Sequence, residues 1–262
     1  MKKNKPKIEQ VISREKRISM VTCYDYSFAC ALAQTNVDII LVGDSLANVS
    51  LGLSDTKEVT IEEMLNHTQA VSKGAPDKLV IADIPYLGCQ KKSSKPLEVA
   101  KKFIQAGADG VKIEWFRGCK KIVKDLVKNN IWVMGHIGLT PQTVHLLGGY
   151  KVQGKDRESA NNLIKQAEQL QDLGVFSIVL ECIKKDIAKE ITDSLDIPTI
   201  GIGAGKYCKG QVLVLYDLLG LYPNNMKFVR TFFDLSRQVK KAINSFDQAI
   251  KKGTFPSDQE SF

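Results

Sequence analysis

The sequence predicts an α/β protein built as a single (β/α)8 barrel. Three observations carry that expectation. Eight short runs rich in Ile and Val recur along the 262 residues. Helix-like segments separate most of them. Charged residues gather where the runs end. Continuous apolar runs are what strands buried on both faces look like. Strands alternating with helices argue a parallel sheet with right-handed crossovers, and eight of them in roughly 250 residues is barrel arithmetic. The main competitor, an open doubly wound sheet, wants G-x-G-x-x-G after its first strand. Here the first run is followed by Cys23-Tyr24-Asp25-Tyr26.

The expected strands are Ile18–Thr22, Asp38–Val42, Leu79–Ala82, Gly110–Ile113, Ile131–Met134, Phe176–Leu180, Pro198–Ile202 and Val212–Leu215. Thr60-Ile61-Glu62-Glu63 opens a helix with a capping box, Thr60 as cap and Glu63 three residues on. Ile61, Met64, Leu65 and Val71 follow helical spacing, and Gly74 is expected to stop it. Further helices are expected at Pro96–Ala106, ended by Gly107; at Cys119–Lys128; at Glu158–Leu173, ended by Gly174; and at Lys184–Leu195. A long amphipathic stretch, Lys227–Lys251, follows. With no internal repeat and no Pro/Gly/Ser linker, residues 1–262 are expected to form one barrel, with 1–14 and 253–262 peripheral.

Composition excludes several classes. Hydrophobic residues make up 44% and charged residues 25%, which rules out collagen, low-complexity disorder and a disulfide miniprotein. The net charge of +8 bears on solubility and encounter with anions, not on fold. The Lys pairs at 91–92, 101–102, 120–121, 184–185, 240–241 and 251–252 form no stripe with stacking aromatics, so no nucleic-acid partner is expected. The basic start (Lys2, Lys3, Lys5, Lys7) is not followed by an apolar signal-peptide core, and no run approaches the ~20 residues of a membrane span. Cysteines 23, 30, 89, 119, 182 and 208 show no C-x-x-C pair or adjoining His cluster, so reduced thiols in a cytoplasmic protein are expected.

The strand ends carry the chemistry. They read Gly43-Asp44-Ser45, Ala82-Asp83, Lys112-Ile113-Glu114, Gly135-His136, Leu180-Glu181 and Gly201–Gly205. Barrel active sites lie at that end of the strands. The side-chain period of two puts Lys112 and Glu114 on one face of the fourth strand, and Glu181 with Val179 on the sixth. Asp44, Asp83 and Glu114 come from three successive strands. Left alone they repel, and a hard divalent cation resolves this. Magnesium suits an all-oxygen set that leaves positions for substrate, whereas zinc or copper would want Cys or His. His67 reads as a surface or packing histidine. His145 either touches substrate or caps a turn. Gly148–Gly154 is a candidate lid.

These segments are joined by others in a fixed order. Tyr24-Asp25-Tyr26, Val42-Gly43-Asp44-Ser45-Leu46, Ala82-Asp83-Ile84-Pro85, Val111-Lys112-Ile113-Glu114, Gly135-His136-Ile137-Gly138-Leu139-Thr140-Pro141-Gln142, Gly148-Gly149-Tyr150-Lys151-Val152-Gln153-Gly154, Leu180-Glu181-Cys182 and Ile200-Gly201-Ile202-Gly203-Ala204-Gly205 follow one another. Together they resemble the ketopantoate hydroxymethyltransferase family over roughly residues 15 to 262. The most specific part is the pairing of G-H-x-G-L-T-P-Q with G-G-Y-K-V-Q-G.

That resemblance implies a TIM barrel of the phosphoenolpyruvate/pyruvate superfamily. It implies transfer of a hydroxymethyl group from methylene-tetrahydrofolate to alpha-ketoisovalerate in coenzyme A synthesis. It implies magnesium among Asp44, Asp83 and Glu114, keto acid held by Asp44, Ser45, Asp83 and Lys112 with His136 nearby, and Glu181 as general base. It also implies a homo-oligomer, a ring-based decamer. The alternative within enzymes is another magnesium-dependent carbon–carbon lyase of the same superfamily. Such lyases carry a reactive lid cysteine, and no such lid motif is evident here. The sequence departs from the family pattern at Ala47, at Gly52-Leu53-Ser54-Asp55-Thr56 (where a His is missing), at Trp115-Phe116-Arg117 and over Leu221–Lys227.

Overall fold

A computed structural model describes residues 5–13, 16–89, 95–222 and 226–262. Lys2, Lys3 and the Lys91–Lys92 pair lie outside the described residues, as does part of the 221–227 stretch. The strands are β1 (Ile18–Thr22), β2 (Ile39–Val42), β3 (Leu79–Asp83), β4 (Gly110–Glu114), β5 (Val133–Gly138), β6 (Ser177–Glu181), β7 (Thr199–Ile202) and β8 (Gly210–Leu213). Each pairs in parallel with the next, and β8 returns to β1, closing the barrel. The helices are α1 (Lys5–Ile12), α2 (Tyr26–Ala33), α3 (Leu46–Val49), α4 (Ile61–Gly74), α5 (Tyr86–Cys89), α6 (Pro96–Gln105), α7 (Cys119–Lys128), α8 (Arg157–Asp172), α9 (Lys185–Ser194), α10 (Leu215–Leu218) and α11 (Leu235–Lys251).

The expected barrel is present, with small differences that have local causes. The eighth strand begins two residues early, at Gly210, and ends before Leu215 opens α10. The stretch expected as helix from Lys227 becomes helical only at Leu235, where the Asp234 carboxylate accepts from the Arg237 N–H and fixes the start. The α4 capping box forms as expected, with Thr60 Oγ1 accepting from Glu63 N–H and Glu63 accepting from Thr60 N–H. Gly74, however, is the last residue of α4 and not a left-handed stop. A Cβ there would stand 2.7 Å from the Ala29 Cβ and the Tyr26 carbonyl, so glycine lets α4 close on α2.

The chain divides into two compact units, Met1–Val214 and Leu215–Phe262, where one was expected. All eight strands belong to the first. The second is built around α11, which buries none of its residues.

Within the first unit the start of the chain is not peripheral. Ile8 and Val11 of α1 are 0% and 5% exposed and join Met20, Ile39, Leu41, Leu79, Ile81, Met134, Val179, Ile200 and Val212 in one apolar cluster. One helical turn separates Ile8 from Val11, so a lysine-rich segment still presents an apolar edge to the barrel interior.

The same inward faces change character toward the carboxyl ends. On β3, Leu79 and Ile81 lie in the cluster and Asp83 follows at the next inward position. On β5, Met134 is followed by His136; on β6, Val179 by Glu181. Register then sets the neighbours. Asp83 pairs with Lys112, Glu114 with His136, and Gly138 with Glu181.

Candidate active site

The polar layer at the mouth is almost dry. Asp44, Asp83, Lys112, Glu114 and His136 are each between 2% and 5% exposed. The Glu181 side chain, at 17%, is the most open of the set. Lys112 Nζ stands 2.7 Å from Asp83 Oδ1 and 3.4 Å from His136 Nδ1. The other Asp83 oxygen accepts from the Asp44 N–H at 3.0 Å. Asp83 is therefore partnered on both sides.

Lys112 also settles the histidine tautomer. An ammonium only donates, so Nδ1 must accept and the imidazole proton sits on Nε2. That nitrogen is 3.3 Å from Glu181 Oε2. Burial, reinforced by the Lys112 charge, holds the His136 pKa well below its ordinary value, so the ring is neutral.

Gln142 adds contacts that sequence reasoning did not assign. Its amide donates to Asp44 Oδ2 at 2.8 Å and to the Ile84 carbonyl at 3.1 Å, and its backbone N–H donates to Glu114 Oε2 at 3.0 Å. The remaining Glu114 oxygen, Oε1, is buried without a hydrogen bond, 3.6 Å from the unprotonated His136 Nδ1.

The cluster is short of positive charge. Burial, with Asp83 alongside, pushes the Asp44 carboxyl up to about 7, although Lys112 and Gln142 oppose it. Burial and Asp44 push Glu114 well above the usual carboxylate range. Burial pushes Glu181 up to about 7, with Lys112 opposing and Asp83 adding to the rise. Burial works against the Lys112 charge, but Asp83, Asp44 and Glu114 outweigh it and hold the ammonium firmly protonated. One cation serves four carboxylates. An orphaned buried carboxylate oxygen and the raised carboxyls of Asp44 and Glu114 are the setting a hard cation fits. Among the described residues, no three His, Cys, Asp or Glu side chains stand grouped so as to hold a metal ion, so the carboxylates would have to turn toward one.

All the sequence-expected residues thus meet at one mouth. Ser45 borders it, with its hydroxyl 2.9 Å from the Tyr24 hydroxyl, which in turn accepts from Thr22 Oγ1 at 2.7 Å. His67 does not join; its Nδ1 meets the Tyr24 carbonyl from α4, a packing role. His145 is exposed on the 3-10 turn Pro141–Leu147.

Gly138 is the position where backbone freedom matters. Its φ is +96° and a Cβ would lie 2.2 Å from the Glu181 carbonyl, so only glycine lets the two strand ends approach. The candidate lid is anchored beside Glu181. Gln153 N–H donates to the Cys182 carbonyl at 2.7 Å, and Lys184 N–H to the Gln153 carbonyl at 3.3 Å. Tyr150 on this segment is exposed, and partial burial of its phenol, with the charges of Asp55, Glu181, Asp44 and Glu114, pushes its pKa up.

The departures from the family pattern have places too. Leu53 N–H donates to the Ala47 carbonyl at 2.8 Å, tying the loop without its histidine to α3. Trp115 N–H donates to the His136 carbonyl at 2.8 Å, and Trp115 and Phe116 line a cavity of about 290 Å³ with Gly138, Thr140 and Thr143.

The profile of the family described as ketopantoate hydroxymethyltransferase matches residues 2–258. The chain belongs to the ketopantoate hydroxymethyltransferase family. A curated relative from Bdellovibrio bacteriovorus, named 3-methyl-2-oxobutanoate hydroxymethyltransferase, is 49% identical over 251 residues, covering 95% of each chain.

Solved structures carry the fold further afield. A phosphonopyruvate hydrolase in complex with oxalate and Mg++ superposes with a TM-score of 0.65 at 12% identity, covering 99% of this chain and 93% of that one. A 2,3-dimethylmalate lyase of the PEP mutase/isocitrate lyase superfamily gives 0.57 at 14% identity, covering 98% and 89%. At such identities the likeness shows architecture alone. The carbon–carbon lyase alternative rests on that architecture, whereas the hydroxymethyltransferase family is shown by sequence over nearly the whole chain. Among the described residues, no helix is long and apolar enough to cross a membrane.

Proposed function

We propose that the chain transfers a hydroxymethyl group from methylene-tetrahydrofolate to 3-methyl-2-oxobutanoate, giving ketopantoate. The observation that carries this reading is the gathering of a raised carboxyl, Glu181, 3.3 Å from a neutral His136, and a fixed Lys112 in one mouth. It supplies a proton acceptor, a neutral hydrogen-bond donor and a fixed positive charge around one small anion.

Asp44, Asp83 and Glu114 would hold magnesium, a reading supported by the orphaned Glu114 Oε1. When bound, magnesium supplies Lewis acidity toward the keto group of the substrate. Lys112, with its charge already directed at Asp83, offsets negative charge developing in the same layer. The Ser45 hydroxyl, oriented by Tyr24, is set to hydrogen-bond the substrate carboxylate. Glu181 removes the C3 proton. Its pKa of about 7 leaves a useful fraction ionised at neutral pH while keeping it a competent base. His136 Nε2 lies 3.3 Å from Glu181 but makes no hydrogen bond, so its N–H is left free for the substrate. The C3 carbanion equivalent then forms its new bond to the methylene carbon, the carbon–nitrogen bonds to folate break to release tetrahydrofolate, and water supplies the hydroxyl oxygen.

A cytoplasmic setting is supported by six scattered free thiols, four of them buried. Assembly into a homo-oligomer, a decamer by family resemblance, is supported by the exposed row Val239, Ile243, Phe246 and Ile250 on α11.

Product formation from the two substrates tests the reaction; a chain that binds both and yields no ketopantoate overturns it. The metal reading has its own test. Magnesium at about 100 times its Kd is expected to raise Tm by roughly 5–10 °C at pH 8, and ketopantoate to add to the shift. The shift is expected to shrink as pH falls toward 5, because protons compete for Asp44 and Glu114. A Tm indifferent to magnesium at pH 8 contradicts the assignment.

A further inference from the structure

We infer that Gln142 is a positioning residue that aims the Asp44 carboxylate and holds three strand ends around the metal-binding side of the mouth. The inference rests on the magnesium reading above and adds a residue to it. Gln142 is 4% exposed. Its Nε2 faces two acceptors, the Asp44 carboxylate and the Ile84 carbonyl, so the amide nitrogen must point there and both its hydrogens are used. The backbone N–H of the same residue holds Glu114. One residue thereby reaches just past the ends of β2 and β3 and the last residue of β4, over sequence separations of 98, 58 and 28.

Asp44 needs such a partner. It lies beyond the last residue of β2, outside the ladder; its backbone is held by its N–H to Asp83 and by its carbonyl, which accepts from Ala47 N–H, but neither contact fixes the carboxylate. The terminal torsion of an aspartate is broad, so burial alone does not choose an orientation. With Oδ2 held by Gln142, Oδ1 is the oxygen left for a cation. Glu114 shows the same division, Oε2 held by the Gln142 N–H and Oε1 open. The turn carrying Gln142 is itself fixed, since Thr143 N–H donates to the Thr140 carbonyl at 3.0 Å and the two threonine hydroxyls meet at 2.8 Å.

The test is Gln142→Met, which keeps the volume and the backbone N–H to Glu114 and deletes only the amide. Gln142→Asn, whose amide is one methylene short of both acceptors, serves as the second variant. Titration calorimetry with magnesium alone at pH 8 is the readout, with circular dichroism and Tm measured on the same samples. Folded variants are expected to bind magnesium about 10–100-fold more weakly than the parent, the usual cost of losing a group that orients a ligand. Their KM for the keto acid is expected to rise more than kcat falls. A folded variant with parental magnesium affinity overturns the inference and leaves the metal reading standing. A parent that takes up no magnesium overturns both.

Discussion

Glu181→Gln is expected to lower deuterium exchange at C3 of 3-methyl-2-oxobutanoate by about 10²–10⁴-fold, the usual worth of a positioned general base. The substitution preserves shape and the contact side toward His136 Nε2 while removing the proton acceptor. Exchange is read by proton NMR in deuterated water without folate, which isolates proton removal from carbon transfer. In the parent the rate is expected to rise with pH and level off above about 7, because Glu181 acts as a base only when ionised and burial has raised its pKa to about 7. A variant that exchanges at the parental rate removes Glu181 from the role.

Lys112→Met is expected to be the most damaging single change to stability. Lys112 and Asp83 form a 2.7 Å ion pair with side chains only 5% and 3% exposed. Deleting one partner of such a pair costs about 3–5 kcal/mol, a fall of roughly 6–20 °C in Tm for a chain of this size. The loss is expected to depend on pH with a definite sign. Lys112 is what lowers Asp44 and Glu114 against burial. Without it both carboxyls rise further above their unfolded values. The folded state then takes up protons more readily than the unfolded one, so stability is retained at acid pH and lost as pH rises. Thermal unfolding at pH 5 and pH 8 checks this, and a penalty equal at both would contradict the charge account.

Much of the barrel was legible because its strands are buried on both faces and spaced by helices. Ile18–Thr22 and Cys119–Lys128 were bounded correctly from pattern alone. The eighth strand was misplaced because Gly210-Gln211 carries no apolar signal and its place is set by pairing with Ile18 and Ser19. The burial of α1 was hidden by lysines, since two apolar residues one turn apart are a weak signal until a barrel floor exists to receive them.

At the mouth, the carboxyl ends of the expected strands were enough to gather Asp44, Asp83, Lys112, Glu114, His136 and Glu181, with the period of two adding that Lys112 and Glu114 share a face. Which of them pair was not readable. Asp83 meets Lys112, and Glu114 meets His136, only through strand register. Gln142 stayed invisible for a different reason. A neutral amide has no charge signature, and its partners are up to 98 residues away across a turn that folds back over the strand ends.

The claim on which the mechanism depends is that proton removal at C3 needs both this carboxylate layer and a divalent ion. Deuterium exchange into 3-methyl-2-oxobutanoate, followed by NMR with magnesium and then with excess chelator, tests it without folate or turnover. The account predicts exchange that requires magnesium, stops on chelation and returns when the metal is restored. Exchange that proceeds at an unchanged rate in chelator would contradict it.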